Sequence, residues 1–256
     1  IGTNEKKVQW VSNKSWEYKT NFLLSEAILK KENIQLHFDG LDTYAAIFLN
    51  DTLLKQTNNA FKKYLFEVKK HVKKENSLRI IFTPTHTIET ALENKNAAKL
   101  PEGKRVYSRK AQFQYGWDWG PKLNTSGIWK AVSMHAWDDL KFDDIFIRQK
   151  NIDANKASLS AEIRIKSATD REINVFTKIN SKDISSTISL KKGEHIYKIP
   201  IEIVQPKLWW THNLGDPYLY NFNFQLISEG KIKDEKSIKK GIRTLQLVSE
   251  KDSIGS

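Results

Sequence analysis

Apolar and polar residues alternate along most of the chain, and a turn recurs about every ten residues. Residues 16–22 alternate in this way, and residues 34–38 repeat the pattern before an Asp-Gly dipeptide, a common turn sequence. Alternation with a period of two places successive side chains on opposite faces of a strand, so both segments predict half-buried β-strands. The same reasoning predicts strands at residues 44–49, 64–68, 77–82 and 127–134. This spacing is typical of a β-sandwich or a β-barrel.

A second series of strand patterns begins after residue 140. The predicted strands are residues 142–148, 158–166, 173–179, 186–190, 195–203, 219–228 and 237–247. About seven strands in roughly 105 residues fit an immunoglobulin-like sandwich. We therefore predict an all-β protein with one domain at residues 1–137, an immunoglobulin-like β-sandwich at 138–249 and a linker or tail at 250–256.

Residues 86–124 interrupt the strand pattern. Residues 87–98 have a weak helical pattern, in which Ile88, Ala91 and Leu92 share one face. An irregular stretch then continues to residue 124. Long irregular segments are uncommon in compact domains and often carry function, so a binding site is expected here.

Composition narrows the function classes. The chain has 42 basic and 30 acidic residues, a net charge of +12, yet its lysines occur as short pairs spread along the whole sequence. That distribution favours a solvated surface with protected strand edges over a nucleic-acid partner. No apolar run approaches the roughly 20 residues that span a bilayer, so no membrane partner is expected. The chain lacks Cys and therefore disulfides, which fits an exported bacterial protein and a cytosolic one equally well. Periplasmic or secreted localisation is the expectation if the protein is bacterial.

The densest unusual segment is residues 109–121, in which Trp117 and Trp119 flank Asp118 before a Gly-Pro pair. Indoles stack on the apolar faces of pyranose rings, and a carboxylate accepts hydrogen bonds from sugar hydroxyls. The alternative is an aromatic plug over a sandwich edge, with Asp118 bonded within a turn. Neither phosphate-binding loops nor metal-ligand spacings of the six His residues occur, so no cofactor or metal is expected.

Several motifs, in order along the chain, resemble the non-catalytic part of β-mannosidases in glycoside hydrolase family 2. They are Phe-Asp-Gly-Leu-Asp at residues 38–42, Gly-Trp-Asp-Trp-Gly-Pro at 116–121, Gly-Ile-Trp-Lys at 127–130, Pro-Lys-Leu-Trp-Trp at 206–210, and Gly-Ile-Arg-Thr at 241–244. The resemblance covers essentially the whole chain. It implies that the first domain is a jelly-roll (galactose-binding-like) β-sandwich that lacks its first strand.

The resemblance also implies roles for individual residues. Asp118 would bind hydroxyls of the sugar, and Trp117 would form a wall of the pocket. Arg109 would orient Asp118 rather than bind the substrate, and Trp119 would pack into the domain because neighbouring side chains tend to point apart. Trp209 and Trp210 would have a core or interdomain role.

No catalytic residue is expected in this chain. Family members retain anomeric configuration through two Glu residues on a (β/α)₈ barrel, and no alternating strand–helix pattern occurs here. The family's acid/base follows an Asn, but Asn4-Glu5 lies in a polar terminal stretch, so both catalytic carboxylates are expected beyond Ser256. The expected partners are a β-mannoside or other glycan and the catalytic barrel of the same polypeptide. The alternatives are a stand-alone carbohydrate-binding module, a structural β-sandwich, and the same part of another family 2 glycosidase.

Overall fold

The protein consists of two β-sandwich units, which divide between Ala136 and Trp137 in a computed structural model that describes residues 3–251. The strand pairings that join neighbours in the sheets are antiparallel in both units. The all-β class predicted from the sequence is confirmed.

From residue 3 onwards, the first unit contains nine strands in three sheets. Its strands are β1 (Trp16–Leu23), β2 (Asn33–Phe38), β3 (Leu41–Asp42), β4 (Ala45–Leu49), β5 (Thr52–Gln56), β6 (Tyr64–Glu67), β7 (Glu75–Phe82), β8 (Gly127–Ile128) and β9 (Val132–Trp137). The sheets have the orders β1-β7-β4-β5, β6-β2-β9 and β3-β8. Its helices are α1 (Asn4–Val8), α2 (Glu26–Leu29) and α3 (Thr85–Lys95), with 3₁₀ turns at Gln9–Asn13, Gly103–Tyr107 and Gln112–Tyr115. The helical segment expected near residues 87–98 is thus confirmed as α3.

The core of the first unit follows from the alternation of its strands. Ile34, Leu36 and Phe38 of β2 are buried and face the core, while the residues between them are only half-buried. Strand β7 repeats the pattern, so the two larger sheets enclose one apolar cluster. Residues 3–15 form α1 and a 3₁₀ turn rather than a strand, and the predicted loss of a first jelly-roll strand stays a prediction.

The second unit has the three-plus-four arrangement of an immunoglobulin-like sandwich. Its strands are β10 (Leu140–Ile152), β11 (Lys156–Ser167), β12 (Arg171–Ile179), β13 (Lys182–Leu190), β14 (Gly193–Val204), β15 (Tyr220–Ser228) and β16 (Lys231–Lys240). The sheets have the orders β10-β11-β14 and β13-β12-β15-β16. Both sheets contribute inward-facing aliphatic and aromatic residues to a single core. The part of the predicted tail that follows Lys251 lies outside the described residues.

The last predicted strand ends earlier than the sequence pattern suggested. Strand β16 stops at Lys240, and the main-chain N–H of Trp209 donates to the carbonyl oxygen of Ile242 at 2.8 Å. A Cβ on Gly241 would lie 2.7 Å from Cγ of Trp209, so the close approach of the indole requires glycine. Trp209 is half-buried and packs against Gly241, so its predicted core or interdomain role stays a prediction, and the side chain of Trp210 is 48% exposed. Across residues 3–251, no helix has the length and apolarity needed to cross a membrane.

Candidate functional site

The irregular segment after α3 is fixed at its base by a buried ion pair. Lys110 Nζ lies 2.6 Å from Asp42 Oδ2, and both residues are buried. The same ammonium group donates to the carbonyl oxygen of Thr125, and Gln114 Nε2 donates to Asp42 Oδ2 at 3.2 Å. Gln114 Oε1 in turn accepts from the main-chain N–H of Thr125 at 3.0 Å. One carboxylate on β3 thus joins the two ends of the segment at residues 110–125.

Burial and the neighbouring carboxylates act in opposite directions on the pKa of Lys110 in this ion pair. Removal from water lowers the pKa of Lys110, and the hydrogen bond to Asp42 and the nearby carboxylates of Asp42 and Glu89 oppose that shift. The cation is therefore stable at this place only because its carboxylate partner is close by.

Helix α3 holds the middle of the same segment. Glu89 Oε1 accepts hydrogen bonds from Ser108 Oγ at 2.5 Å and from the hydroxyl of Tyr115. Asn124 Nδ2 donates to Thr85 Oγ1 at 3.2 Å, so the first turn of the helix contacts the far end of the segment.

Between these contacts the chain forms an exposed turn that carries the Trp-Asp-Trp motif. The main-chain N–H groups of Trp117 and Gly120 each donate to the carbonyl oxygen of the other residue at 3.2 Å. Gly116 precedes the turn with φ of +89°, a backbone conformation that favours glycine. Asp118 is exposed, and within residues 3–251 its side chain has no hydrogen bond or ion pair.

Trp117 and Asp118 line a polar cavity of about 520 Å³. The other lining residues are Glu5, Glu102, Arg105, Tyr115, Gly116, Gly120 and Lys122. Cationic, anionic and hydroxyl groups therefore surround one concave surface with an exposed indole at its side. Such a surface suits a polyhydroxylated ligand, because a sugar needs both donors and acceptors and an apolar face.

The packing role predicted for Trp119 is wrong. Its side chain is 85% exposed, and its ring lies edge-to-face with that of Trp117 at a centroid separation of 6.0 Å. Alternating side-chain directions are a property of strands, whereas Trp117 and Trp119 lie in a tight turn. The exposure of both indoles also disfavours the aromatic plug, which would bury them.

The structure does not bring Arg109 to Asp118. Ser108 and Lys110 are buried, so Arg109 between them is exposed, and its carbonyl oxygen accepts from the N–H of Ala60 at 2.8 Å. Within residues 3–251, the Arg109 side chain forms no hydrogen bond or ion pair. Arg105 lines the cavity instead, where it is paired with Glu102.

Sequence reasoning missed the contribution of the N-terminal helix to this cavity. Glu5 Oε1 accepts a hydrogen bond from the main-chain N–H of Lys122 at 2.7 Å, and Gln9 Nε2 donates to the carbonyl oxygen of Lys122 at 2.8 Å. Because Asn4-Glu5 lies in a polar terminal stretch, the sequence gives no sign of its contact with Lys122. The N-terminal turn nevertheless lies against the segment that carries Asp118.

A second cavity in the first unit has a different character. It measures about 400 Å³ and is lined mainly by apolar side chains of β1, β7 and β9, among them Phe22, Ile80 and Met134. It offers few hydrogen-bonding groups to a sugar. The part of the chain that the structure describes contains no cluster of three or more His, Asp or Glu side chains suited to a metal ion.

Comparisons with known proteins place the chain in a family. Residues 1–130 match the family description "Glycosyl hydrolase 2 galactose-binding domain-like", and residues 140–243 match "Glycosyl hydrolases family 2". Both matches define the class of protein to which these β-sandwich domains belong, the family 2 proteins. The chain belongs to glycosyl hydrolase family 2 and corresponds to the N-terminal part of such proteins.

Individual relatives point to one branch of that family. The chain is 31% identical to Beta-mannosidase B of Aspergillus flavus over 266 residues and 32% identical to Beta-mannosidase B of Aspergillus niger over 278 residues. Each alignment covers 100% of this chain but only 31% of the relative. The crystal structure of the β-D-mannosidase from Dictyoglomus thermophilum superposes with a TM-score of 0.87 at 31% identity, over 99% of this chain and 32% of that one.

More distant structures share the fold. A β-glucuronidase from glycoside hydrolase family 2 matches with a TM-score of 0.66 at 20% identity, over 90% of this chain and 24% of that one. At that identity the likeness concerns the two-sandwich architecture alone.

Proposed function

We propose that this chain is the non-catalytic N-terminal part of a retaining exo-β-mannosidase and forms one edge of its sugar pocket. The observation that carries the proposal is the position of Trp117 and Asp118 side by side in a polar cavity of about 520 Å³. The similarity of the whole chain to proteins named Beta-mannosidase B supports the choice of sugar.

Asp118 suits a sugar ligand because its carboxylate is exposed and has no protein partner within the described residues. Its oxygens can therefore accept hydrogen bonds from two sugar hydroxyls without first breaking a bond to the protein. Hydrogen bonds to a charged acceptor are stronger than those between neutral groups. The indole of Trp117, 59% exposed, offers an apolar face to the C–H groups of the same ring.

Hydrolysis itself is assigned to another part of the polypeptide. Retention requires two carboxyl groups about 5–5.5 Å apart, one acting as acid/base and one as nucleophile. The described residues of this chain form two antiparallel sandwiches, and a (β/α)₈ barrel of about 250 residues would have to supply those groups. The role of Asp118 is then to hold the terminal sugar in register with the barrel, which lowers the entropic cost of reaction.

The test is the Asp118→Ala substitution in the complete protein that contains this chain. We expect kcat/KM on an aryl β-mannoside to fall about 100-fold or more, since a desolvated polar contact to the sugar is lost. Asp39→Ala is a matched control, because Asp39 forms an exposed pair with Lys63 at 3.3 Å in the same unit and lies outside the cavity. Wild-type kinetics of Asp118→Ala would defeat the proposed role.

A further inference from the structure

Glu89 is a buried carboxylate whose presence the sugar-binding role of Asp118 leaves unexplained. It lies on α3 and is 4% exposed, whereas Glu93 one turn later faces the surface and pairs with Lys104 at 3.6 Å. A carboxylate removed from water is strongly disfavoured unless hydrogen-bond donors replace its hydration. The groups that donate hydrogen bonds to Glu89 therefore indicate the role of this carboxylate.

The hydroxyls of Ser108 and Tyr115 both donate to Glu89 Oε1. Ser108 Oγ also lies 3.2 Å from the hydroxyl oxygen of Tyr44, so three hydroxyl groups form one buried network. Burial raises the pKa of Tyr115, and the hydrogen bond to Glu89 raises it further. The phenol consequently remains protonated at neutral pH and keeps its role as a donor.

Tyr115 connects this network to the candidate sugar site. Tyr115 lines the same cavity as Trp117 and Asp118, and only Gly116 separates it from the turn that presents the carboxylate. Gly116 has a φ of +89°, a backbone conformation that favours glycine, and the turn begins at the next residue. The hydrogen bond from Tyr115 to Glu89 therefore anchors the residue that directly precedes this glycine.

We propose that Glu89 is a positioning residue that holds Tyr115 and thereby sets the orientation in which Asp118 meets the sugar. The role rests on the proposed function of Asp118. Glu89 itself does not line the cavity and acts through the Tyr115 hydroxyl, so its effect on the reaction must vanish when Asp118 is absent.

The experiment is a double-mutant cycle in the complete protein, with kcat/KM on an aryl β-mannoside as the readout. Tyr115→Phe and Glu89→Leu are each made alone and in the Asp118→Ala background. We expect each alone to lower kcat/KM about ten-fold, because a hydrogen bond to a charged group is lost. In the Asp118→Ala background neither should lower kcat/KM further, since contacts that act through one group are not additive.

Two further variants separate positioning from general stability. Glu89→Gln keeps an acceptor oxygen for the hydroxyls and should recover most of the activity lost in Glu89→Leu. Glu93→Gln removes a carboxylate from the surface of the same helix and should leave kcat/KM unchanged. Thermal unfolding of each variant checks that it is folded, and Tyr115→Phe, which loses a single hydroxyl, carries the test if Glu89→Leu does not fold.

The outcomes distinguish the two proposals. Loss of the same factor from Tyr115→Phe in both backgrounds would overturn the positioning role and leave the function of Asp118 standing. Wild-type kinetics of Tyr115→Phe alone would also overturn the positioning role. Wild-type kinetics of Asp118→Ala would remove the proposed function, and the role of Glu89 would fall with it.

Discussion

Replacing Lys110 by methionine isolates the contribution of the buried ion pair at the base of the candidate site. Methionine matches the length of the aliphatic stem but removes the donors to Asp42 Oδ2, at 2.6 Å, and to the carbonyl oxygen of Thr125. Among residues 3–251, the carboxylate of Asp42 would keep only the hydroxyl of Thr43 and the amide of Gln114 as donors. It would then be a buried charge without a counter-ion.

The burial of the two side chains sets the expected loss of unfolding free energy. The side chains of Lys110 and Asp42 are 0% and 8% exposed, and removing one member of such a pair costs about 3–5 kcal/mol of unfolding free energy. The double substitution Asp42→Asn with Lys110→Met removes the unpaired charge and should cost less than Lys110→Met alone. Lys63→Met is the matched control, since Lys63 is 70% exposed in its pair with Asp39 and should contribute less than about 1 kcal/mol.

Native-state hydrogen exchange measures these free energies separately in each of the two units. Peptides from β4 and β7 report the core of the first unit, and peptides from β11 and β15 report the second unit as an internal reference. Lys110→Met should lower the opening free energy in the first unit alone. The reasoning would be refuted by a loss below about 1 kcal/mol for Lys110→Met, or by a double variant less stable than the single one.

Two further predictions concern packing and pH. Gly40→Ala should destabilise the first unit by about 1–3 kcal/mol, because the added Cβ would overlap the indole of Trp129. Gly120→Ala should cost less unfolding free energy, because the nearest contact of its added Cβ is an ordinary 3.4 Å. Equal urea midpoints for the two variants would contradict this prediction. Burial acts to raise the pKa of Asp139, but the hydrogen bond and charge of Arg171 at 2.5 Å outweigh it and the pKa is lowered. A lowered carboxyl pKa stabilises the fold above about pH 4 and loses that effect as pH falls through the folded-state value, so Asp139→Asn should destabilise the second unit at pH 7, and this destabilisation should shrink as pH falls through the folded-state pKa; a destabilisation that does not change with pH, measured by thermal unfolding, would contradict this.

The fold was predictable wherever one face of a strand is buried. Strands β2 and β15 alternate strictly between buried and less buried residues, and both were predicted from that alternation. Strand β5 was missed because four of its five residues are exposed, so its sequence has no apolar face. Residues 127–134 were predicted as one strand but form β8 and part of β9, and between the two strands the indole N–H of Trp129 donates to the carbonyl oxygen of Ala60.

Of the candidate site, only the short turn that carries the Trp-Asp-Trp motif was predictable from the sequence. Trp117, Asp118 and their flanking glycines mark an exposed turn in the sequence itself. The contacts that place this turn join distant residues: Lys110 and Asp42 lie 68 positions apart, and Lys122 and Glu5 lie 117 apart. Sequence spacing contains no information on such pairs. Arg109 belongs to the segment at residues 109–121 and was predicted to orient Asp118, whereas Arg105, which lines the cavity, lies outside that segment.

The most direct test of the central claim compares this 256-residue chain with the complete protein on aryl β-mannoside, β-galactoside and β-glucuronide substrates. We expect hydrolysis by the complete protein alone, with the β-mannoside preferred, because the sandwich units contribute binding groups and the barrel contributes the catalytic carboxylates. Hydrolysis by the 256-residue chain itself would contradict the account, as would a complete protein that cleaves another sugar in preference or none.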